Sequence, residues 1–281
     1  MKRMAYLMVV PAMVFFLAFP AAATYLVGHL SLLKTDYLTT QFVGVLNYVT
    51  ILSDVRFWRA MVNGLVYAAM IVPMMSAALL VVGFLAADFS TKVQNAVKFA
   101  LYIPTLAAGV IIANVWKWIY AKDGFANWLL GLLGVGALPW LTDAMLAKFG
   151  ISIMFTATVM GGFLIIVLAA IISVPRQLLE AAKIDGASGL TVKFRIILPI
   201  IMPTLLLVVM LLTMQAMQMW EFVYQLTNGG PAGGTATPVF DIYDTAFTYG
   251  KYGLASAKSV VLMLIILALV WAQKRVEKLG K

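Results

Sequence analysis

The 281-residue chain has no cysteine, a single histidine and few charges, with Asp, Glu, Lys and Arg making up 11% of it. Without cysteine there is no disulfide, no thiolate metal site and no thiol nucleophile. A lone His29 cannot build a multi-histidine metal site and reads as a polar residue near a helix end. No G-x-x-x-x-G-K-[ST] occurs, so the chain carries no Walker loop for ATP. No metal or nucleophile constellation stands out either, and the expectation is a non-catalytic protein. The formal charge of +9 invites a nucleic-acid reading, but no basic stripe interleaves with aromatics, and we set that class aside.

Apolar residues are what the chain has in excess. They make up 63% of the sequence, against about 45–50% in soluble domains, so the solvent must be lipid. Six runs reach the roughly 20 mostly apolar residues that a transmembrane helix needs: about 4–29, 60–87, 97–119, 150–174, 200–222 and 254–273. The expected fold is a single all-α, six-span transmembrane domain over residues 1–281. The first run resembles a signal peptide, with Lys2 and Arg3 ahead of it and Ala21-Ala22-Ala23 at its end. It outruns the usual apolar region of about 7–15 residues and reads as an uncleaved helix. The stretch 128–141, "WLLGLLGVGALPWL", is too short to span; with tryptophan at both ends it reads as an interfacial segment on the outer side.

Six crossings place both termini on one side. That side holds 12 of the 20 Lys and Arg against four acidic residues, a net +8, while the other side keeps eight basic and seven acidic, a net +1. By the positive-inside rule both termini, the 88–98 loop and the 175–199 loop are cytoplasmic, and the loop 223–253 is outside. Two small-xxx-small pairs, Gly109 with Ala113 and Ala157 with Gly161, are suited to close helix approach. Pro73, Pro104 and Pro203 favour kinks.

The cytoplasmic loop reads "EAAKIDGASGLTVKFRIILPI" over 180–200. A short helix from Gln177 to Ile184, a turn at Gly186 and Gly189, and a second amphipathic piece ending at Leu198-Pro199 make a compact elbow beside the membrane. An elbow of this kind is suited to docking on another protein, or is an ordinary interfacial loop. The spacing resembles the EAA loop of bacterial binding-protein-dependent ABC importer permeases: Glu180-Ala181-Ala182, then Gly186, then Ile196-Ile197-Leu198-Pro199. That resemblance implies a coupling helix, with Glu180 pairing with a basic residue of an ATPase. Ala181 and Ala182 would give a tight fit and Gly186 would set the turn, with Asp185, Leu198 and Pro199 completing the pattern.

A second stretch, "LTNGGPAGGTATPVFDIYDTAF" at 226–247, resembles the outer loop of the maltose and glycerol-3-phosphate type of sugar permease. "FWRAMVNGLVY" (57–67) and "YIPTLAAGVIIANVWKWIY" (102–120) are weaker matches. The resemblance implies a subunit of the bacterial inner membrane that forms a heterodimer with a second, similar permease. It further implies two copies of an ABC ATPase, which use ATP and Mg, and an external substrate-binding protein. No cofactor is expected in this chain. Asn228, Gly229, Gly230 and Pro231, and with them Asp241 and Asp244, are candidates for docking the binding protein.

For a cargo path the fifth run is the most polar, with Gln215, Gln218, Glu221 and Gln225 expected within one arc of about 120° on a continuous helix. Such residues either line a pathway, where amides bond hydroxyls and Trp220 stacks on a sugar face, or join helices by hydrogen bonds. Asn114 and Trp116 in the third run and Thr156 and Thr158 in the fourth are further candidates. In the resembling family two asparagine positions fall on Ala216 and Met219 here, so a maltose-like site is not expected unchanged. The expectation is an importer permease for a carbohydrate, polyol or similar hydroxylated solute. The alternatives are an anionic cargo such as glycerol-3-phosphate or, from another class, a secondary transporter or channel.

Overall fold

The computed structural model describes residues 2–35, 39–107 and 109–279. Among these, five helices are long and apolar enough to cross a bilayer: Val9–Leu30, Val55–Ala87, Ala144–Ile172, Gly189–Gln218 and Tyr252–Arg275. A sixth crossing results if Thr91–Leu106 and Gly109–Ile119, which meet at 99°, are taken as one span. The third span, expected as an unbroken run, is therefore two half-helices. Pro104 sits in the last turn of the first half, and the Ala107 N–H bonds back to its carbonyl. A pair of short antiparallel strands, Leu33–Thr35 and Thr40–Phe42, follows the first span, with Leu33 opposite Phe42.

The second span organises the bundle through a stripe of residues four apart. Tyr67, Ile71, Met75 and Leu79 are fully buried along one face, as the helical repeat requires for side chains stacked turn upon turn. They belong to one core with Ile151, Met154, Leu164 and Leu168 of the fourth span and with Leu205, Val208 and Leu212 of the fifth. In lipid this burial removes little water, so the gain is close packing rather than hydrophobic expulsion. Small residues permit it. A side chain on Gly161 would strike the backbone of Leu101 and Tyr102 in the third span, and one on Gly83 would meet Ile171 at 2.9 Å. Ala157, the other half of that small pair, is exposed.

The first span stands apart, with no buried residue between Val9 and Leu30. It is helical through Pro20 because the chain widens into a π-turn at Leu17–Ala21, which accommodates the donor that proline lacks. Its C-terminal part, Ala22–Leu30, packs on the sixth span and on the first strand.

The segment after the third span is organised by one buried amide. Asn127 Nδ2 donates to the carbonyls of Ala121, Lys122 and Leu138, and its Oδ1 accepts from Leu138 N–H and Trp140 Nε1–H. Trp140 stacks on Tyr120 at 5.2 Å, whose hydroxyl donates to the Gly150 carbonyl. Burial pushes the Tyr120 phenol well above its ordinary value. Asn127→Leu leaves two donors without an acceptor, each costing about 1–3 kcal/mol. It should lower the thermal unfolding midpoint clearly, whereas Trp118→Leu, at an exposed position, should not.

Candidate functional site

The elbow that follows the fourth span is a helix, Arg176–Ile184, closed by a left-handed glycine. Gly186 has φ +76°, its N–H bonds to the Lys183 carbonyl, and the Ala187 N–H reaches back to the Ala182 carbonyl. That pair of bonds is the Schellman arrangement. Nothing lies within 4 Å of where a Gly186 side chain would project, so the backbone conformation and not crowding calls for glycine. Ser188 caps the next turn through its hydroxyl, and a π-turn at Val192–Ile197 leads into the fifth span, where Pro199 occupies the first turn. Lys193 pairs with Asp88 and ties the elbow to the loop after the second span.

Glu180, Ala181 and Asp185 are exposed on this elbow, but Ala182 is buried against the chain's own core. The tight fit expected of Ala182 is therefore internal: it seats the helix on the bundle. The outward surface is more apolar than the sequence suggested. Ile184 is 86% exposed and Leu190 69%, with Leu178 and Phe194 also open. Leu198 is half-buried and Pro199 exposed where the elbow returns to the membrane.

The polar end of the fifth span is not one arc. The helix stops at Gln218; Met219 is extended, Trp220 lies outside helical geometry, and a separate helix runs from Glu221 to Thr227. The break is stabilised by buried Thr237, whose hydroxyl donates to the Met219 carbonyl. Gln215 and Gln218 are exposed, while Ala216, Met217 and Met219 are buried. The amides thus face away from this chain's core. Glu221 and Gln225 belong to the second helix, and Trp220 stacks on Tyr243 at 4.8 Å.

In the half-helix Gly109–Ile119, Asn114 is exposed, and Trp116 is half-buried against Tyr120 at 5.3 Å. Thr156 is 8% exposed, and among the described residues its hydroxyl has no hydrogen-bond partner. It does not line an open surface. Thr158 bonds within its own helix to the Met154 carbonyl.

The turn 228–237 is gripped by the second span. Asn228 and Ala232 both have φ +49°, and Gly229 and Gly233 are left-handed too. Arg59, Asn63 and Tyr67, again four apart, donate to the carbonyls of Ala232, of Gly233 and Ala236, and of Thr235. Gly229 is buried, with the Phe240 ring 2.6 Å from where its Cβ would be. Of the four docking candidates, Asn228 and Pro231 are exposed and Gly230 partly so, whereas Gly229 is structural. The turn rims a cleft of about 520 Å³ that includes Arg56 and Arg59.

Beside that cleft lies a charge cluster that sequence reading missed. Lys258, 2% exposed near the N-terminal end of the sixth span, contacts Asp54 at 2.8 Å, Asp241 at 2.6 Å and the Thr245 hydroxyl at 3.0 Å. Arg56 pairs with Asp244 at 2.6 Å and donates to the Tyr249 hydroxyl. Burial raises the Asp54 carboxyl, but the Lys258 hydrogen bond and charge and the N–H groups of Phe57 and Arg56 outweigh it, leaving the group below its ordinary 3.8. Asp241, expected as a docking residue, is buried in this cluster, and Asp244 is engaged by Arg56. The available signal was Lys258 itself, a lone charge in an apolar run.

Comparison with known proteins fits this arrangement. The family model described as binding-protein-dependent transport system inner membrane component matches residues 42–279. The trehalose/maltose transport system permease protein MalF of Thermococcus litoralis is 29% identical, over 95% of this chain and 90% of its own. The lactose transport system permease protein LacF of Rhizobium radiobacter is 28% identical, over 87% of this chain and 84% of its own. Among solved structures, a chain of a bacterial alginate ABC transporter in complex with an alginate pentasaccharide-bound periplasmic protein superposes with a TM-score of 0.82. It is 21% identical and covers 97% of this chain and 93% of that one.

Proposed function

From a chain that belongs to the family of inner membrane components of binding-protein-dependent transport systems, we infer the membrane subunit of an ATP-driven importer for a carbohydrate, polyol or similar hydroxylated solute. The observation that carries this reading is the elbow. A short helix stands on the bundle through Ala182 and presents Glu180, Ala181 and an open apolar rim of Ile184 and Leu190. Exposed aliphatic side chains beside one carboxylate on a rigid Schellman-capped helix suit a groove on an ATPase, with a basic residue meeting Glu180.

The energy source is then external to this chain. Two copies of the ATPase bind ATP with Mg and close, the elbows carry that closure to the spans, and the cavity between this chain and a second permease turns outward to receive cargo from a binding protein. Hydrolysis resets it. Gln215, Gln218 and Asn114 are exposed on the surface that such a partner would complete, and amides suit hydroxyl groups. Sugar names recur among the relatives, which supports a carbohydrate cargo. Arg56 and Arg59 sit at the outer start of the second span and are both hydrogen-bonded within the chain. They offer an anionic cargo little in the membrane itself, so glycerol-3-phosphate is the second choice.

The test is ATP hydrolysis by the assembled complex with its binding protein across maltose, trehalose, lactose, glycerol and glycerol-3-phosphate. Stimulation by a neutral compound is expected. Turnover that co-purifies with no ATPase, or that ignores every solute, would overturn the importer reading.

A further inference from the structure

Three spans run between the elbow and the glycine-rich turn 228–237, and they differ in stiffness. The fifth joins the two along the chain, but its helix ends at Gln218 and a new one starts at Glu221. Such element ends are where a chain absorbs changes of φ and ψ. The second and fourth spans are single helices, Val55–Ala87 and Ala144–Ile172. Pro73 lies inside the second without ending it, and Ile71 and Met75 on either side are fully buried.

The second span is also held at both ends. At one end Arg59, Asn63 and Tyr67 donate to carbonyls of the turn. At the other, Lys193 Nζ donates to Asp88 Oδ2 at 2.5 Å, and Phe84 meets Phe194 edge-on at 5.9 Å. Lys193 and Phe194 belong to the π-turn Val192–Ile197 of the elbow. About 25 Å of helix separates Tyr67 from Phe84 at 1.5 Å per residue. The fourth span stiffens the second by lying against it: a Cβ on Gly83 would meet Ile171 at 2.9 Å, and one on Gly234 of the turn would meet the Ala144 methyl at 2.8 Å. The Asp88 side chain is 62% exposed, and an ion pair so open to solvent adds little to folding. What it does is fix the elbow against the end of one helix.

We propose that the second span is the coupling strut of this chain. Asp88 and Phe84 take up the movement of the elbow through Lys193 and Phe194, and Arg59, Asn63 and Tyr67 deliver it to the turn 228–237, bypassing the break in the fifth span. Asp88 and Lys193 are positioning residues that touch neither nucleotide nor solute. That an ATPase drives the elbow and a binding protein meets the turn rests on the importer reading; the mechanical link does not.

The test has two arms. In the first, the full chain in lipid nanodiscs carries spin labels at Val62→Cys and Lys183→Cys, both exposed, with no native cysteine to interfere. One narrow label distance is expected. Asp88→Lys sets like charges together and should broaden it, and the exchanged pair Asp88→Lys/Lys193→Asp should narrow it again. In the second arm, Asp88→Lys in the assembled complex should cut the gain in ATP hydrolysis from solute-loaded binding protein by about fivefold or more. The exchanged pair should restore that gain, which a variant that merely damages the fold does not do. A distance that stays narrow in Asp88→Lys, a gain that survives it, or an exchanged pair as uncoupled as the single variant overturns the strut. If no solute raises hydrolysis in the unsubstituted complex, the importer reading fails, and the label distances alone decide the link.

Discussion

Lys258→Met is expected to cost the folded chain about 3–5 kcal/mol, the penalty for stripping a buried ion pair of one partner. Every Lys258 ammonium proton has an acceptor, in Asp54, Asp241 or Thr245, and Asp241 is as buried as the lysine. Removing the cation leaves the Asp241 carboxylate buried beside Arg56, whose Nε is 3.8 Å away and whose closer contact is Asp244. The thermal midpoint and yield of the purified chain should both fall. The double variant Lys258→Met/Asp241→Leu should recover much of the loss, because an apolar pair of similar volume replaces a buried ion pair at little cost. If the double variant is as damaged as the single, the cluster is not what holds the N-terminal ends of the second and sixth spans to the 238–248 segment. The same cluster sets an acid limit. Asp54 is held below its ordinary 3.8, so its contribution is complete above about pH 4 and is lost as the pH falls through the folded value.

The second large effect belongs to the elbow. Ile184→Asp should abolish the gain in ATP hydrolysis that solute-loaded binding protein gives the assembled complex, and uptake should fall by about 30-fold or more. A central apolar anchor contributes about 2 kcal/mol or more to an interface. Ile184 is 86% exposed, so the thermal midpoint of the isolated chain should not move. Glu180→Arg should act the same way if a basic residue faces it, by placing like charges together. Ala182→Leu is the contrasting case: it is buried, so it should lower the midpoint by displacing the helix from the bundle. A chain in which Ile184→Asp leaves coupling intact would place the ATPase contact elsewhere.

Hydropathy made the crossings legible because a bilayer imposes a length on any apolar helix, and these runs carry that length. The glycine at 186 was legible for a similar reason: a left-handed residue after a helix is a local requirement. The breaks were not. Pro104 hinted at the first, but Met219 and Trp220 contain no breaker, and the Met219 carbonyl is taken instead by Thr237, 18 residues on. The arc drawn through Gln215, Gln218, Glu221 and Gln225 assumed continuity that tertiary structure withdraws. Ala182 looked like an interface residue because its composition is equally suited to packing inward. The Lys258 cluster joins residues 54, 241 and 258, and no local pattern ties such distant positions together.

The second span is 33 residues long. At about 1.5 Å per residue it extends some 50 Å, against roughly 30 Å of hydrocarbon. Its first turns are those that hold residues 232–236 through Arg59, Asn63 and Tyr67. The surplus length makes this helix a mast. It carries the glycine-rich turn at its N-terminal end and the buried stripe of Ile71, Met75 and Leu79 further along.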